Sequence, residues 1–353
     1  MHSRAPDKSR RHHLDFLRVC AMFAVIAIHC VMPITIALLP SAGDWPAAEV
    51  IDSYMRWCVP VFIMISGALL IRREVSQHIG AYFRRRASRI LIPLIAWPIL
   101  YAAWLAVFGK DVTWSTFSQG IFNGDPIGGS QLYFLFIIAG LYILNPLISA
   151  FATKVSSRTF FWSSIAALAG ASAWHSLANL LPELDETYNM FTWCLPYIGY
   201  FMLGYALRNT WLTGRRAIGA LVGFVLLGMI NALLTMFTRL DGHFFFQSYL
   251  SMTVMGLSIC AFLGGRALYK QLAALIQHTP WREKCAGALT HLAQVSFGVY
   301  LIHVMILETI VYVFMLDQAS LQTAAILFLC VPPLSIVSVS IMIRVPFVRR
   351  LVI

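Results

Sequence analysis

Leu14-Asp15-Phe16-Leu17-Arg18-Val19-Cys20-Ala21-Met22-Phe23-Ala24-Val25-Ile26-Ala27-Ile28-His29 opens an apolar segment that continues to Leu39. The segment exceeds the ~20 residues a helix needs to cross a bilayer. A charged side chain at mid-membrane depth costs roughly 2.5–3.5 kcal/mol on insertion scales, so an arginine and a histidine inside such a helix point to a task. Positions 18 and 29 are eleven apart. At about 100° per residue they return to within about 20° of one another, on one helix face, about 16 Å apart along the axis. The helix thus carries a cation near one surface and a titratable imidazole deep inside, both facing the same way.

The rest of the chain extends this pattern. Of its 353 residues 59% are hydrophobic and 12% charged, against about 25% charged in soluble domains; the mean hydropathy is +0.74. The expected fold class is all-α, a polytopic membrane helical bundle. About ten spans are expected, at residues 14–39, 50–71, 90–108, 132–151, 160–180, 191–207, 217–237, 249–268, 292–316 and 324–343. His175, Asn179 and Pro196 make the fifth and sixth the weakest. No loop is long enough for a second domain, so residues 1–353 form one transmembrane domain with a basic tail at 1–13. Every Lys and Arg except Arg18, Arg56, Lys110 and Arg239 falls on one side of these spans, Arg266 among the loop residues after the eighth. The positive-inside rule then places both termini in the cytoplasm. The net charge of +11 is therefore a matter of topology and anionic-lipid contact, not a nucleic-acid footprint.

Pro40-Ser41-Ala42-Gly43 faintly resembles a signal-peptidase site, but the preceding run is too long for a signal h-region and contains Arg18, so an uncleaved first helix is expected. Six of the seven cysteines lie in spans and Cys285 in a cytoplasmic loop, so no disulfide framework is expected. No cysteine or histidine cluster suggests a metal.

Several polar residues are not explained by membrane insertion. Asp15 stands three residues before Arg18, where the two can pair. Asp52 and Arg56 form an i,i+4 pair near the outer end of the second span, as helix glue or as a holder of a polar acceptor at the outer mouth. Ser66-Gly67 permits close helix approach. Arg86 and Arg89, three apart, project from nearly one face at the cytoplasmic entrance of the third span. There they serve either as a membrane anchor or as a fork for the phosphates of a cytosolic donor. Ser296, Tyr300 and His303 sit at i, i+4 and i+7, one polar stripe on the ninth span. Two helices with polar faces predict a shared internal cavity. Glu308 points elsewhere, and His175 and Asn231 suit helix–helix hydrogen bonds. The outer loops 110–130 and 182–189 are expected to shape acceptor recognition, the first as a glycine-rich lid.

The arginine–ten residues–histidine spacing of Arg18 and His29 resembles the first-helix signature of the acyltransferase-3 membrane family. Pro60-Val61-Phe62 through Ser66-Gly67, Arg86 and Arg89 running into Ile90-Leu91-Ile92-Pro93, and Ser296-Phe297-Gly298-Val299-Tyr300-Leu301-Ile302-His303 resemble it too. So do Tyr133 through Asn145-Pro146 and Tyr197 through Gly204-Tyr205. The Ile63-Met64-Ile65 stretch departs from it, where many members carry phenylalanines. The chain looks closest to the stand-alone O-acetyltransferases, such as the one acting on enterobacterial common antigen.

The resemblance implies transfer of an acyl group, usually acetyl, from cytosolic acyl-CoA to an extracytoplasmic hydroxyl on a cell-envelope glycan or glycolipid. Acetyl-CoA is then a donor substrate, no cofactor is tightly bound, and the location is a bacterial inner membrane. Arg86 and Arg89 would hold coenzyme A phosphates and Arg18 the pantetheine arm or thioester. His29 would act as general base or as carrier of an acyl-histidine intermediate. The alternative is a secondary transporter of a glycan precursor, whose inverted repeats are not seen here.

Overall fold

The computed structural model describes residues 9–37, 43–123, 130–181, 189–240 and 245–352, and within them it leaves aside the side chains of 9–11, 37, 73, 76, 85–88, 130 and 240. Residues 1–8 of the basic tail, Pro40-Ser41-Ala42, Gly124, Gly128 and Gly129 of the expected lid, residues 182–188 and the Arg86 side chain therefore lie outside the described residues.

Every regular element among the described residues is helical. The chain runs through α1 (Ser9–Ala37), α2 (Trp45–Met55), α3 (Cys58–Leu70), α4 (Arg73–Gln77), α5 (Ile79–Val107), α6 (Trp114–Phe122) and α7 (Tyr133–Lys154). It continues through α8 (Ser157–Leu180), α9 (Ile198–Leu207), α10 (Gly214–Leu240), α11 (Met252–Ile276), α12 (Arg282–Phe314), α13 (Leu321–Met342) and α14 (Arg349–Val352).

Eight spans among the described residues, not the expected ten, are long and apolar enough to cross a membrane. The expected fifth and sixth spans are present as α8 and α9, packed on each other, but each falls short for its own reason. Serines 163, 164, 172 and 176 with His175 and Asn179 dilute the hydropathy of α8. The ten residues of α9 reach only ~15 Å of a ~30 Å hydrocarbon layer.

Other boundaries move outward. α5 begins at Ile79, so Arg84 and Arg89 ride on the helix itself, and α12 begins at Arg282, so Cys285 is helical rather than in a loop. Arginine, lysine and alanine are good helix formers, which lets both helices continue past the apolar stretch. Part of the expected 110–130 lid is helix α6, started by the Thr113 hydroxyl, which accepts from the Thr116 amide at 3.1 Å.

Helix α1 is central and packs against α2, α3, α11, α12 and α13. Leu91, Ile95 and Ile99 of α5, Val222 and Leu226 of α10, and Leu329 and Val337 of α13 turn outward, as apolar residues do when the surrounding solvent is lipid. The tightest crossing joins α3 to α9. A Cβ on Gly67 would overlap the carbonyl oxygen of Phe201, and one on Gly204 the carbonyl oxygen of Met64. Backbone packed on backbone leaves no flexible side chain to yield. Gly204→Ala is therefore expected to cost about 1–3 kcal/mol, visible as a lower Tm of the detergent-purified protein; an unchanged Tm would contradict the crossing.

Two prolines shape the interior. Pro33 lies inside α1, and Pro60 follows the break between α2 and α3 at Arg56-Trp57. Proline has no amide hydrogen and displaces the carbonyl four residues earlier. Those carbonyls belong to His29 and Arg56, the two residues on which the site is built.

Candidate active site

His29 is half-buried and opens onto a cavity of about 400 Å³. Val25, Ile28 and Met32 continue the α1 wall; Arg56 comes from the α2–α3 break and Val59 from the first turn of α3. Tyr133, Trp193, Tyr197, Tyr249 and Tyr300 supply five aromatic rings, and Gln131 a polar edge.

The polar wall residues Arg56, Trp193, Tyr300 and Gln131 are held from behind. Arg56 donates through Nε (2.8 Å) and Nη2 (2.5 Å) to one oxygen of Asp52. The Asp52 side chain is fully buried, and its other oxygen has no hydrogen-bond partner among the described residues. The guanidinium lies 5.7 Å from the centre of the Tyr249 ring and interacts electrostatically with His29. Beside this pair buried Glu49 accepts from Gln247 at 3.0 and 3.2 Å and from Ser53 at 3.2 Å. Trp193 donates to the Asn123 carbonyl at 2.7 Å, which ties the end of α6 to the cavity wall. Tyr300 donates to the Gln131 carbonyl. Gln131 in turn donates to the Tyr101 hydroxyl at 2.5 Å, and that hydroxyl to the Leu301 carbonyl at 2.9 Å.

His303 sits behind His29, fully buried, with ring centroids 5.0 Å apart and planes at 61°. Its Nδ1 is 2.7 Å from the Tyr300 carbonyl and 3.2 Å from that of Val299. Carbonyls only accept, so Nδ1 carries the proton and Nε2 is a bare acceptor.

The structure therefore brings His29, Arg56 and Tyr300 to one cavity, with Asp52 and His303 directly behind. The other candidates lie elsewhere. Arg18 is half-buried, 3.7 Å from the Asp15 carboxylate, and does not line the cavity. The Ser296 hydroxyl is spent on the Ala293 carbonyl of its own helix at 2.9 Å. Arg89 is exposed on α5. Asn231 makes an inter-helix bond, accepting from Thr253 at 2.6 Å, while His175 stacks on Phe245.

Arg266 is a correction. It is not a loop cation: it lies within α11, 1% exposed, donating to the carbonyls of Leu207 (2.8 Å) and Arg208 (2.9 Å). It so satisfies the open C-terminal end of α9. Apart from Tyr300, the aromatic wall escaped sequence reading because tyrosines and tryptophans at span ends read as an interfacial belt. The signal that separates them is their convergence from several spans on the end where His29 points.

Residues 11–343 match the model of a family described as an acyltransferase domain, acyltransferase-3. No curated protein and no solved structure matches the chain. The family match takes in all but the first two residues of α1 and the whole of α2 through α13, and with them every residue of the cavity wall, so this chain belongs to the acyltransferase-3 family and is a membrane acyltransferase.

Proposed function

We propose that the protein moves an acetyl group from cytosolic acetyl-CoA to a hydroxyl of an extracytoplasmic envelope glycan or glycolipid, with His29 as general base. One observation carries this reading: an imidazole facing a cavity large enough for a sugar ring and walled by aromatic rings. Tyrosine and tryptophan offer an apolar face with a polar tip, which suits a pyranose, whose C–H face is apolar and whose rim is hydroxylated. A sugar hydroxyl is a poor nucleophile until a base takes its proton, and imidazole is the side chain whose ordinary pKa lies nearest the working pH. Arg56, held on one edge by Asp52, keeps Nη1 for the oxygen that gains charge as the thioester carbonyl is attacked.

The positive-inside reading supports the direction of transfer. Met32 near the C-terminal end of α1, Tyr133 at the start of α7 and Tyr249 just before α11 all lie toward the extracytoplasmic ends of their helices. Arg18, Arg86 and Arg89 lie toward the other face. There they would meet coenzyme A phosphates and the start of the pantetheine arm, which then spans the ~16 Å from Arg18 to His29 along the α1 axis. The surrounding membrane is then a bacterial inner membrane.

Mass spectrometry of envelope glycans from cells with and without the protein is the test. The expected result is one acetyl group per modified sugar, lost on deletion and restored by the wild-type chain. Identical glycans from both cells would overturn the reading. In reconstituted vesicles, Arg89→Ala is expected to raise KM for acetyl-CoA several-fold and leave kcat nearly unchanged; an unchanged KM would remove Arg89 from the donor site.

A further inference from the structure

We propose that His303 is the positioning residue of His29: its Nε2 accepts the N–H of the His29 ring and so leaves the other His29 nitrogen bare toward the cavity. The inference rests on the acyl-transfer reading for its purpose, but its geometry stands apart from it. Two hydrogen-bond contacts on the Nδ1 side fix the His303 tautomer. The remaining nitrogen, Nε2, is buried and has no hydrogen-bond partner among the described residues. A buried acceptor in that condition costs free energy unless something meets it. The Tyr300 hydroxyl nearby is committed to the Gln131 carbonyl. The ring standing edge-on to His303 is that of His29, at 5.0 Å between centroids. In-line N–H···N contact between two imidazoles needs about this separation, since each ring centre lies roughly 1.1 Å from its nitrogens and the bond adds about 2.9 Å. The torsion that turns a histidine ring about its last bond is soft, so a small rotation of His29 completes the bond. His303 itself is closed to the cavity, which leaves His29 as the imidazole that substrate touches.

The proton accounting follows. The acceptor O–H gives its proton to the bare nitrogen of His29 as the oxygen attacks the thioester carbon. The carbonyl oxygen takes up the negative charge and then returns it as the C–S bond breaks. The departing thiolate takes the proton from His29. Throughout, the second His29 N–H stays bonded to His303 Nε2, which holds the ring in one orientation and tautomer. This is the orienting role a buried carboxylate plays in hydrolytic triads, filled here by a neutral imidazole.

The test separates the two nitrogens of His303. A glutamine oxygen can occupy the Nε2 position, whereas asparagine reproduces only the Nδ1 side. His303→Gln is therefore expected to keep most transfer activity, while His303→Asn and His303→Leu lose about tenfold to a hundredfold in kcat, the range found when a partner orienting a functional imidazole is removed. KM for acetyl-CoA is expected to stay unchanged in all three. The independent readout is the ¹⁵N spectrum of histidine-labelled protein in nanodiscs, with the His29 signal assigned by its loss in His29→Gln. One His29 tautomer is expected in wild type and His303→Gln, and a mixture in His303→Asn and His303→Leu. Equal activity of the Asn and Gln variants, or a His29 spectrum indifferent to position 303, would overturn the proposal. If the spectra respond as expected while wild type shows no acyl transfer, the positioning role stands and the transfer reading falls.

Discussion

Replacing His29 with alanine is expected to lower acyl transfer by about 10²–10⁴-fold, the contribution usual for a placed general acid–base. The loss belongs in kcat, because the ring is asked to act when the acceptor proton moves and not when the donor binds. Stability is expected to fall only modestly: His29 is half-buried at a cavity wall, so truncation enlarges an existing cavity, and the one group it leaves without its proposed partner is the Nε2 of His303. The check is paired: glycan acetylation by mass spectrometry for activity, and Tm with membrane yield for folding. Full acetylation by His29→Ala would remove the mechanism. Loss of both acetylation and folded protein would recast His29 as structural.

Asp52→Asn is expected to be the most destabilising single substitution considered, by about 3–5 kcal/mol, because it leaves the Arg56 charge buried without its counter-ion. The Asp52 side chain is 0% exposed and that of Arg56 17%, so water restores little of what the carboxylate supplied. Such a buried pair is weak evidence of net stabilisation; the penalty comes from breaking one half. Removing both charges, as in Asp52→Asn with Arg56→Met, is accordingly expected to recover much of the lost Tm, while transfer stays low if Arg56 Nη1 serves the oxyanion. Thermal unfolding of the four proteins in one detergent closes the cycle. A double variant no more stable than Asp52→Asn alone would show that the pair is not the source of the effect.

These two residues also show what could be read in advance. His29 stood out because a lone polar group in an apolar helix carries a cost that needs a reason, and spacing alone put Arg18 on its face. What spacing does not reveal is where a cavity ends: both residues face inward, yet only His29 meets the chamber. Arg56 was visible as half of an i,i+4 pair, but its aim into the chamber depends on the helix break before Pro60, a tertiary outcome. Arg266 counted as a loop charge because charge counting treats every cation near a span end alike; its use at the end of α9 required knowing that α9 is short. The number of spans was the least legible feature. α8 packs on the short α9, and hydropathy averaged along the sequence does not record a neighbour.

The meeting of His29 with His303 has a consequence for biogenesis. The two rings come from helices near opposite ends of the chain, so translation must pass through nearly all the intervening segments before the second ring leaves the ribosome. At the usual ~5–20 residues per second that interval is roughly 14–55 s. Until then the nascent protein holds a first helix with half of its chemistry, harmless to thioesters in the cytosol, and catalysis begins only when the twelfth helix docks.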